Sequence, residues 1–171
     1  MTSGMSDRPM HLPAEATPDD GLPSYLELAI LLPSTWPMPA SGEPLGEAFE
    51  DENTYWPIRW LKIMARFPHE YHTWLGYGHT IPNGEDAEPF ADHTGLGCML
   101  LLPALSLPEE FQELVISPAK TIHFLNLWPL YRSEMELKLA AGTDALLDRL
   151  EAYGITDVVD PDRPNTVPEP A

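Results

Sequence analysis

Residues 69 to 84, HEYHTWLGYGHTIPNG, place three histidines, His69, His72 and His79, and the carboxylate of Glu70 within eleven positions. Imidazoles and carboxylates are the donors of zinc sites and the acids and bases of hydrolases, so the chain's chemistry is sought here first. A zinc-hydrolase helix carries H-E-x-x-H, with histidines at i and i+4 so that both rings meet one ion and the glutamate acts as base. HEYH is one residue short of that spacing. Pro68 before it, and Gly76, Gly78 and Pro82 after it, leave little regular helix to hold the rings together. A loop folded back on itself would add His93, Asp86 and Asp92 to the same histidines, so a metal-dependent hydrolase using His69, His72 and His79 stands as the alternative reading. The reading preferred on spacing is that these side chains cap and hydrogen-bond an elaborate surface loop, with no metal and no cofactor assigned.

Other catalytic signatures do not appear. Ser24, Ser34, Ser41, Ser106 and Ser117 lie near prolines or in loops, and none occupies a G-x-S-x-G elbow. The sequence contains neither G-x-x-x-x-G-K-[ST] nor a G-x-G-x-x-G following a strand, the usual nucleotide-binding loops. The single cysteine, Cys98, sits in the apolar run CMLLL and reads as a buried core residue. No catalytic residue is assigned.

The elements that must position this segment are legible from periodicity. NTYWPIRWLKIMARF (53–67) predicts a helix capped at Asn53 or Thr54, with Pro57 in its tolerant first turn and Pro68 as its stop. Trp56, Trp60, Ile63, Met64 and Phe67 fall on its apolar face, and Arg59, Lys62 and Arg66 form a basic stripe read as a solvated face. YLELAILL (25–32) and LGCMLLLPAL (96–105) predict strands that enter a core and end at prolines. FQELVI (111–116) and TIHFLNLWPL (121–130), joined by SPAK, predict an antiparallel hairpin. YRSEMELKLAA (131–141) and TDALLDRLEAYG (143–154) predict two further helices, the second capped by Thr143 and stopped by Gly154. Hairpin and short connections argue against a regular doubly wound sheet. The fold expected is α+β, with a mixed, largely antiparallel sheet flanked by helices.

Composition narrows the partners. Among 171 residues only nine are Lys or Arg against 27 Asp or Glu, a formal charge of -18 at pH 7 that disfavours the phosphate backbone of nucleic acids. The same field favours encounter with a basic protein, although it also serves simple solubility. The first residues lack the basic and apolar regions of a secretory signal, no apolar run reaches membrane-spanning length, and one cysteine suits a reducing compartment, so the expected location is cytoplasmic and off the membrane. With 20 prolines, several crowded near the ends, the organisation expected is an irregular segment over 1–23, one domain over 24–160 and a Pro-rich tail over 161–171.

Five stretches together, TSGMSDRPM, ELAILLPSTWP, YWPIRWLKIMARFPHEYHTWLGYGHTIPNG, MLLLPALSLPEEF and DVVDPDRPN, resemble the bacterial suppressor of fused family from Thr2 to Asn165. The resemblance implies a mixed α/β protein-interaction domain without enzymatic activity. It further implies a bacterial role of the immunity or antitoxin kind, in which a partner protein, for instance a basic toxin, is sequestered; a housekeeping adaptor is the other binding role open to it. The family pattern has a helix and a strand ahead of TSGMS, whereas this sequence begins at Met1; either the start is assigned too late, or the form is a shortened one whose sheet is expected to lack a strand beside 25–32 and to offer an open edge there. Within the domain, the loop from Tyr77 to His93 combines possible anchors with acidic residues. Tyr77, His79, Asn83, Glu85, Asp86, Glu88 and Asp92 form the candidate partner-binding set.

Overall fold

The computed structural model describes residues 1–16, 21–37 and 51–167, so the end of the expected tail, 168–171, lies outside the described residues. Five strands form one sheet: β1 (Tyr25–Ala29), β2 (Thr80–Pro82), β3 (Leu96–Leu102), β4 (Glu113–Ser117) and β5 (Lys120–Tyr131). Three α-helices accompany them: α1 (Glu52–Glu70), α2 (Arg132–Ala141) and α3 (Thr143–Ala152). The sheet is mixed and mostly antiparallel, as expected. β5 is its spine, pairing in parallel with β1 and antiparallel with both β3 and β4, while β2 extends it beyond β3. Ile122 and His123 pair with both β1 and β4, and Asn126 with both β1 and β3. A strand has two edges, so β3 and β4 must share one edge of β5, end to end, opposite β1.

Apolar side chains alternate to the two faces. One face buries Leu26, Leu28, Met99, Leu101 and Leu127 against Trp56, Trp60 and Met64 of α1. The other buries Cys98, Leu100, Trp128 and Leu130 against Leu146 and Leu150 of α3. Coverage on both sides explains why all seven residues of β3 are buried and why its sequence runs apolar without alternation. Burial also pushes the Cys98 thiol up to about 12, which makes it an inert core group. Pro129 is compatible with the central strand because its backbone faces away from β3, beyond the end of β1, where its carbonyl accepts a hydrogen bond from Arg163 Nη2 at 2.9 Å.

Several boundaries differ from expectation. α1 starts one residue earlier than predicted and is capped by Asp51, whose carboxylate accepts the Asn53 N–H at 2.9 Å. It also runs through Pro68 to Glu70, because a proline this close to the end forfeits one hydrogen bond and does not reverse the chain. Ile63, expected inside, is 43% exposed, and Leu61 takes its place on the buried face. β1 stops at Ala29, short of Pro33, and β3 stops at Leu102. Gly142, at φ 95°, occupies the position before α3, so Thr143 is its first helical residue and not its cap. Gly154, at φ 67°, turns the chain after α3 as expected.

The edge of β1 is closed. Thr2 N–H donates to the Leu28 carbonyl at 2.7 Å, the Leu28 N–H donates to Thr2 Oγ1 at 2.8 Å, and the Met10 N–H donates to the Ser24 carbonyl at 2.8 Å. The expected open edge beside 25–32 is therefore occupied by the chain's own first residues. Glu27, 5% exposed, anchors them: Oε1 accepts the N–H groups of Gly4 and Ser6, each at 3.0 Å, and the Ser6 hydroxyl at 2.7 Å, while Oε2 accepts the Thr2 hydroxyl at 2.5 Å. Burial alone would raise this carboxyl, but the hydroxyls and N–H groups outweigh it and hold it below its ordinary value.

Candidate partner-binding surfaces

The three histidines of the opening motif do not meet. His69, in the last turn of α1, shares a hydrogen bond of 3.0 Å between Nε2 and the Met5 carbonyl, which makes Nε2 the donor. His72 follows at φ 50°, and its ring stands edge-on to His11 with centroids 5.0 Å apart. His79 packs edge-on against Trp74 at 4.3 Å, and burial, then the Lys138 ammonium, lowers its imidazole from the ordinary value. His93 Nδ1 lies 3.0 Å from Asn53 Oδ1. Each ring thus serves a different local contact. Among the described residues no group of three His, Cys, Asp or Glu side chains is placed to hold a metal ion, and the hydrolase reading loses the convergence it required.

The segment after Tyr77 is a braced loop laid across β3. The Gly78 N–H donates to the Leu101 carbonyl at 2.8 Å and the Leu101 N–H to the His79 carbonyl at 3.0 Å, carrying the β2 pairing backwards. Asn83 ties the turn: its N–H reaches the Gly97 carbonyl at 2.8 Å, and its side-chain amide donates to the carbonyls of Glu88 at 2.9 Å and Pro89 at 3.2 Å. Ala87 sits over Gly97, where the register of β3 on β5 shifts. A Cβ at Gly97 would come within 2.1 Å of the Ala87 carbonyl oxygen. Phe90 then enters the core, stacked on Trp56 at 5.1 Å and tilted against Trp60 at 4.8 Å, and Arg59 Nη2 donates to its carbonyl at 3.2 Å. Arg59 also pairs with Glu52 at 2.7 Å, so part of the basic stripe of α1 is used internally.

On this frame the acidic side chains point outward. Glu85, Asp86, Glu88 and Asp92 are exposed, as is Tyr77 at 56%. Among the described residues Asp86 is the one held: Arg132 Nη1 lies 3.1 Å from its Oδ1, and the same guanidinium reaches Glu136 at 2.9 Å. His79 and Asn83, by contrast, are half-buried and brace the loop.

Sequence reasoning missed a second surface. Every residue of β4 is exposed, Leu114, Val115 and Ile116 among them, and Leu105, Leu107 and Phe111, which precede it in the chain, are exposed as well. The hairpin prediction identified the strand and said nothing of whether its apolar residues are covered. No signal in the sequence could have found it, because an apolar run without alternation reads the same whether or not something packs over it. Close by, Leu107, Phe111, Leu114 and Phe124 line a cavity of about 310 Å³.

The family model described as Suppressor of fused protein (SUFU) matches residues 1–164. No curated protein matches the chain. Among solved structures, the chain is similar to Drosophila Suppressor of Fused, with TM-score 0.57 and 17% identity over 90% of this chain and 35% of that one. It is also similar to a SUFU homologue from Neisseria gonorrhoeae FA 1090, with TM-score 0.53 and 18% identity over 67% of this chain and 58% of that one. A chain of the Sufu-Fu complex aligns with TM-score 0.52 and 19% identity over 65% of this chain and 45% of that one. The chain therefore spans between about a third and three-fifths of the length of these neighbours, and the likeness to them is one of fold. Among the described residues no helix is long and apolar enough to cross a membrane. With a family match over nearly its whole length and a fold shared with solved members, the chain belongs to the suppressor of fused family.

Proposed function

We propose that this chain is a non-catalytic binding domain that sequesters a basic protein partner in the cytoplasm, in the manner of a bacterial immunity protein or antitoxin, and that the loop from Tyr77 to His93 is its recognition surface. The observation that carries this reading is the contrast within the loop. Its backbone is pinned by Asn83, Gly97 and Phe90, while Glu85, Glu88 and Asp92 project to solvent. A surface already ordered before binding forfeits less conformational entropy on association, and exposed carboxylates accelerate encounter with a basic partner. Tyr77 supplies an exposed aromatic anchor, Asp86 is oriented by Arg132, and His79 and Asn83 hold the frame. We also take the domain to run past residue 160, because Arg163 and Thr166 are buried against Glu134.

The test is co-expression with the product of the neighbouring gene, followed by association kinetics at two salt concentrations. A stoichiometric complex that relieves that product's toxicity is the expected result. Glu85→Lys with Glu88→Lys should slow association and reduce its salt dependence without altering the melt; Asp86 is spared because its loss would release Arg132. An unchanged rate and salt slope would remove the loop from the interface, and absence of any complex would remove the sequestering role for that pair.

A further inference from the structure

We infer that β4 is a strand-addition site, an exposed sheet edge that accepts an extended, apolar and basic segment of a partner protein. The backbone geometry comes first. The Phe124 N–H donates to the Gln112 carbonyl at 2.8 Å, which makes Gln112 and Phe124 a hydrogen-bonded pair of the antiparallel ladder. Such pairs alternate, and the register runs Glu113 with His123, Leu114 with Ile122 and Val115 with Thr121. Leu114 therefore turns its N–H and C=O toward β5, while Glu113 and Val115 turn theirs outward. Among the described residues no strand pairs with that outer edge.

Edge strands in soluble proteins are ordinarily guarded by an inward charge, a proline or a covering loop. Among the described residues β4 shows none of these beyond its first residue, Glu113: it contains no proline, and every residue from Glu113 to Ser117 is exposed. It presents Leu114 at 49%, Val115 at 69% and Ile116 at 55% exposure. An occupant that adds a strand here gains hydrogen bonds to the two outward residues, and its alternate side chains fall beside Leu114 and Ile116 on one face and Val115 on the other.

Charge chooses between occupants. Glu109 and Glu110 are exposed immediately before the strand, and Glu113 begins it, with His123 Nδ1 3.2 Å from its carboxylate. Lys120, the nearest cation in sequence, is engaged elsewhere: its ammonium donates to the Ser6 carbonyl at 2.8 Å and stands 4.7 Å from the Tyr25 ring. The edge is thus apolar along its length and acidic at one end, which fits a segment carrying Lys or Arg next to β-branched residues. A second copy of this chain brings the same carboxylates and a formal charge of -18, so self-pairing is electrostatically opposed. The site is separate from the acidic loop. β2 joins the sheet through the part of β3 paired with residues 128–130 of β5, whereas β4 pairs with residues 120–123, at least about 16 Å away along the strand at roughly 3.3 Å per residue.

The test uses the full chain and a synthetic twelve-residue peptide of alternating valine and threonine with lysines at both ends, beside a control of the same pattern with glutamates. Fluorescence anisotropy should show the lysine peptide binding at least tenfold more tightly than the glutamate one. Hydrogen exchange should show the Glu113 and Val115 amides gaining protection on binding, while the Leu114 amide is protected already. Val115→Pro removes an outward N–H and no ladder hydrogen bond, and should abolish peptide binding with the Leu114 amide still protected. If that variant does not fold, the exchange pattern of the unaltered chain decides. Equal binding of both peptides, or no added protection at Val115, would overturn the inference; so would protection of Val115 that rises with protein concentration alone, which would assign the edge to a second copy. None of these readouts depends on the acidic loop or on a toxin.

Discussion

Replacing Arg163 with methionine tests the account of how the C-terminal segment is held. Arg163 and Glu134 form a two-pronged pair, Nη1 to Oε1 at 2.8 Å and Nη2 to Oε2 at 2.5 Å, with exposures of 6% and 0%. Glu134 also accepts the Thr166 N–H at 3.0 Å, the Thr166 hydroxyl at 2.8 Å and the Tyr131 N–H at 2.9 Å. Burial pushes this carboxyl up, and the guanidinium together with those N–H groups brings it below its ordinary value. Removing the guanidinium leaves a buried carboxylate without its counter-charge, a loss of roughly 3–5 kcal/mol. In a chain of this size that lowers the melting temperature by about 6–20 °C, at roughly 2–4 °C per kcal/mol. The sign of the pH dependence follows. With its folded pKa depressed, the pair contributes fully above the unfolded carboxylate value and loses that contribution as pH falls through the folded value. In Arg163→Met the folded pKa is expected to rise instead, so the stability gap between the two proteins should narrow from pH 7 to pH 4. Glu134→Gln should destabilise the unaltered protein yet stabilise Arg163→Met, because in that background it removes an unpaired charge. Urea melts of the four proteins at both pH values measure all of this. A midpoint shift under about 0.5 kcal/mol for Arg163→Met, the size of an ordinary surface change, would refute the reasoning, as would Glu134→Gln having the same sign in both backgrounds.

Trp60→Ala, at a side chain 6% exposed and packed on Phe90, should cost about 3–5 kcal/mol by denaturant melt, as large aromatic truncations in cores do. Gly97→Ala forces a methyl group to within 2.1 Å of the Ala87 carbonyl, so it should cost roughly 1–3 kcal/mol as other overpacking changes do, and it should speed hydrogen exchange at Glu88, whose N–H donates to Asn83. Glu27→Ala leaves the N–H groups of Gly4 and Ser6 without their acceptor, at a cost of about 1–3 kcal/mol. Because the Glu27 carboxyl is held low in the folded protein, that difference should be full at pH 7 and shrink in acid, accompanied by faster exchange of the Leu28 amide.

What the sequence determined by itself was local and periodic. The helical recurrence of Trp56, Trp60 and Met64 identified the buried face of α1, the SPAK connection announced the β4–β5 hairpin, and the apolar run around Cys98 marked a strand that enters the core. Five motif stretches carry the resemblance to the family to which the chain belongs. These are properties of neighbours along the chain, and side-chain periodicity records them directly. Tertiary structure decided which polar groups are structural. Glu27 and Glu134 look like surface carboxylates in the sequence, yet their partners lie 21 to 25 and 29 to 32 residues away, at Thr2 to Ser6 and at Arg163 and Thr166, and only docking of those segments makes their burial tolerable. It also separated three histidines that the sequence had placed together, because the helix end at Glu70 and the left-handed turn at His72 send the rings in different directions. And it left β4 uncovered. Whether an apolar strand is core or surface depends on what packs over it, and no spacing within the strand encodes that.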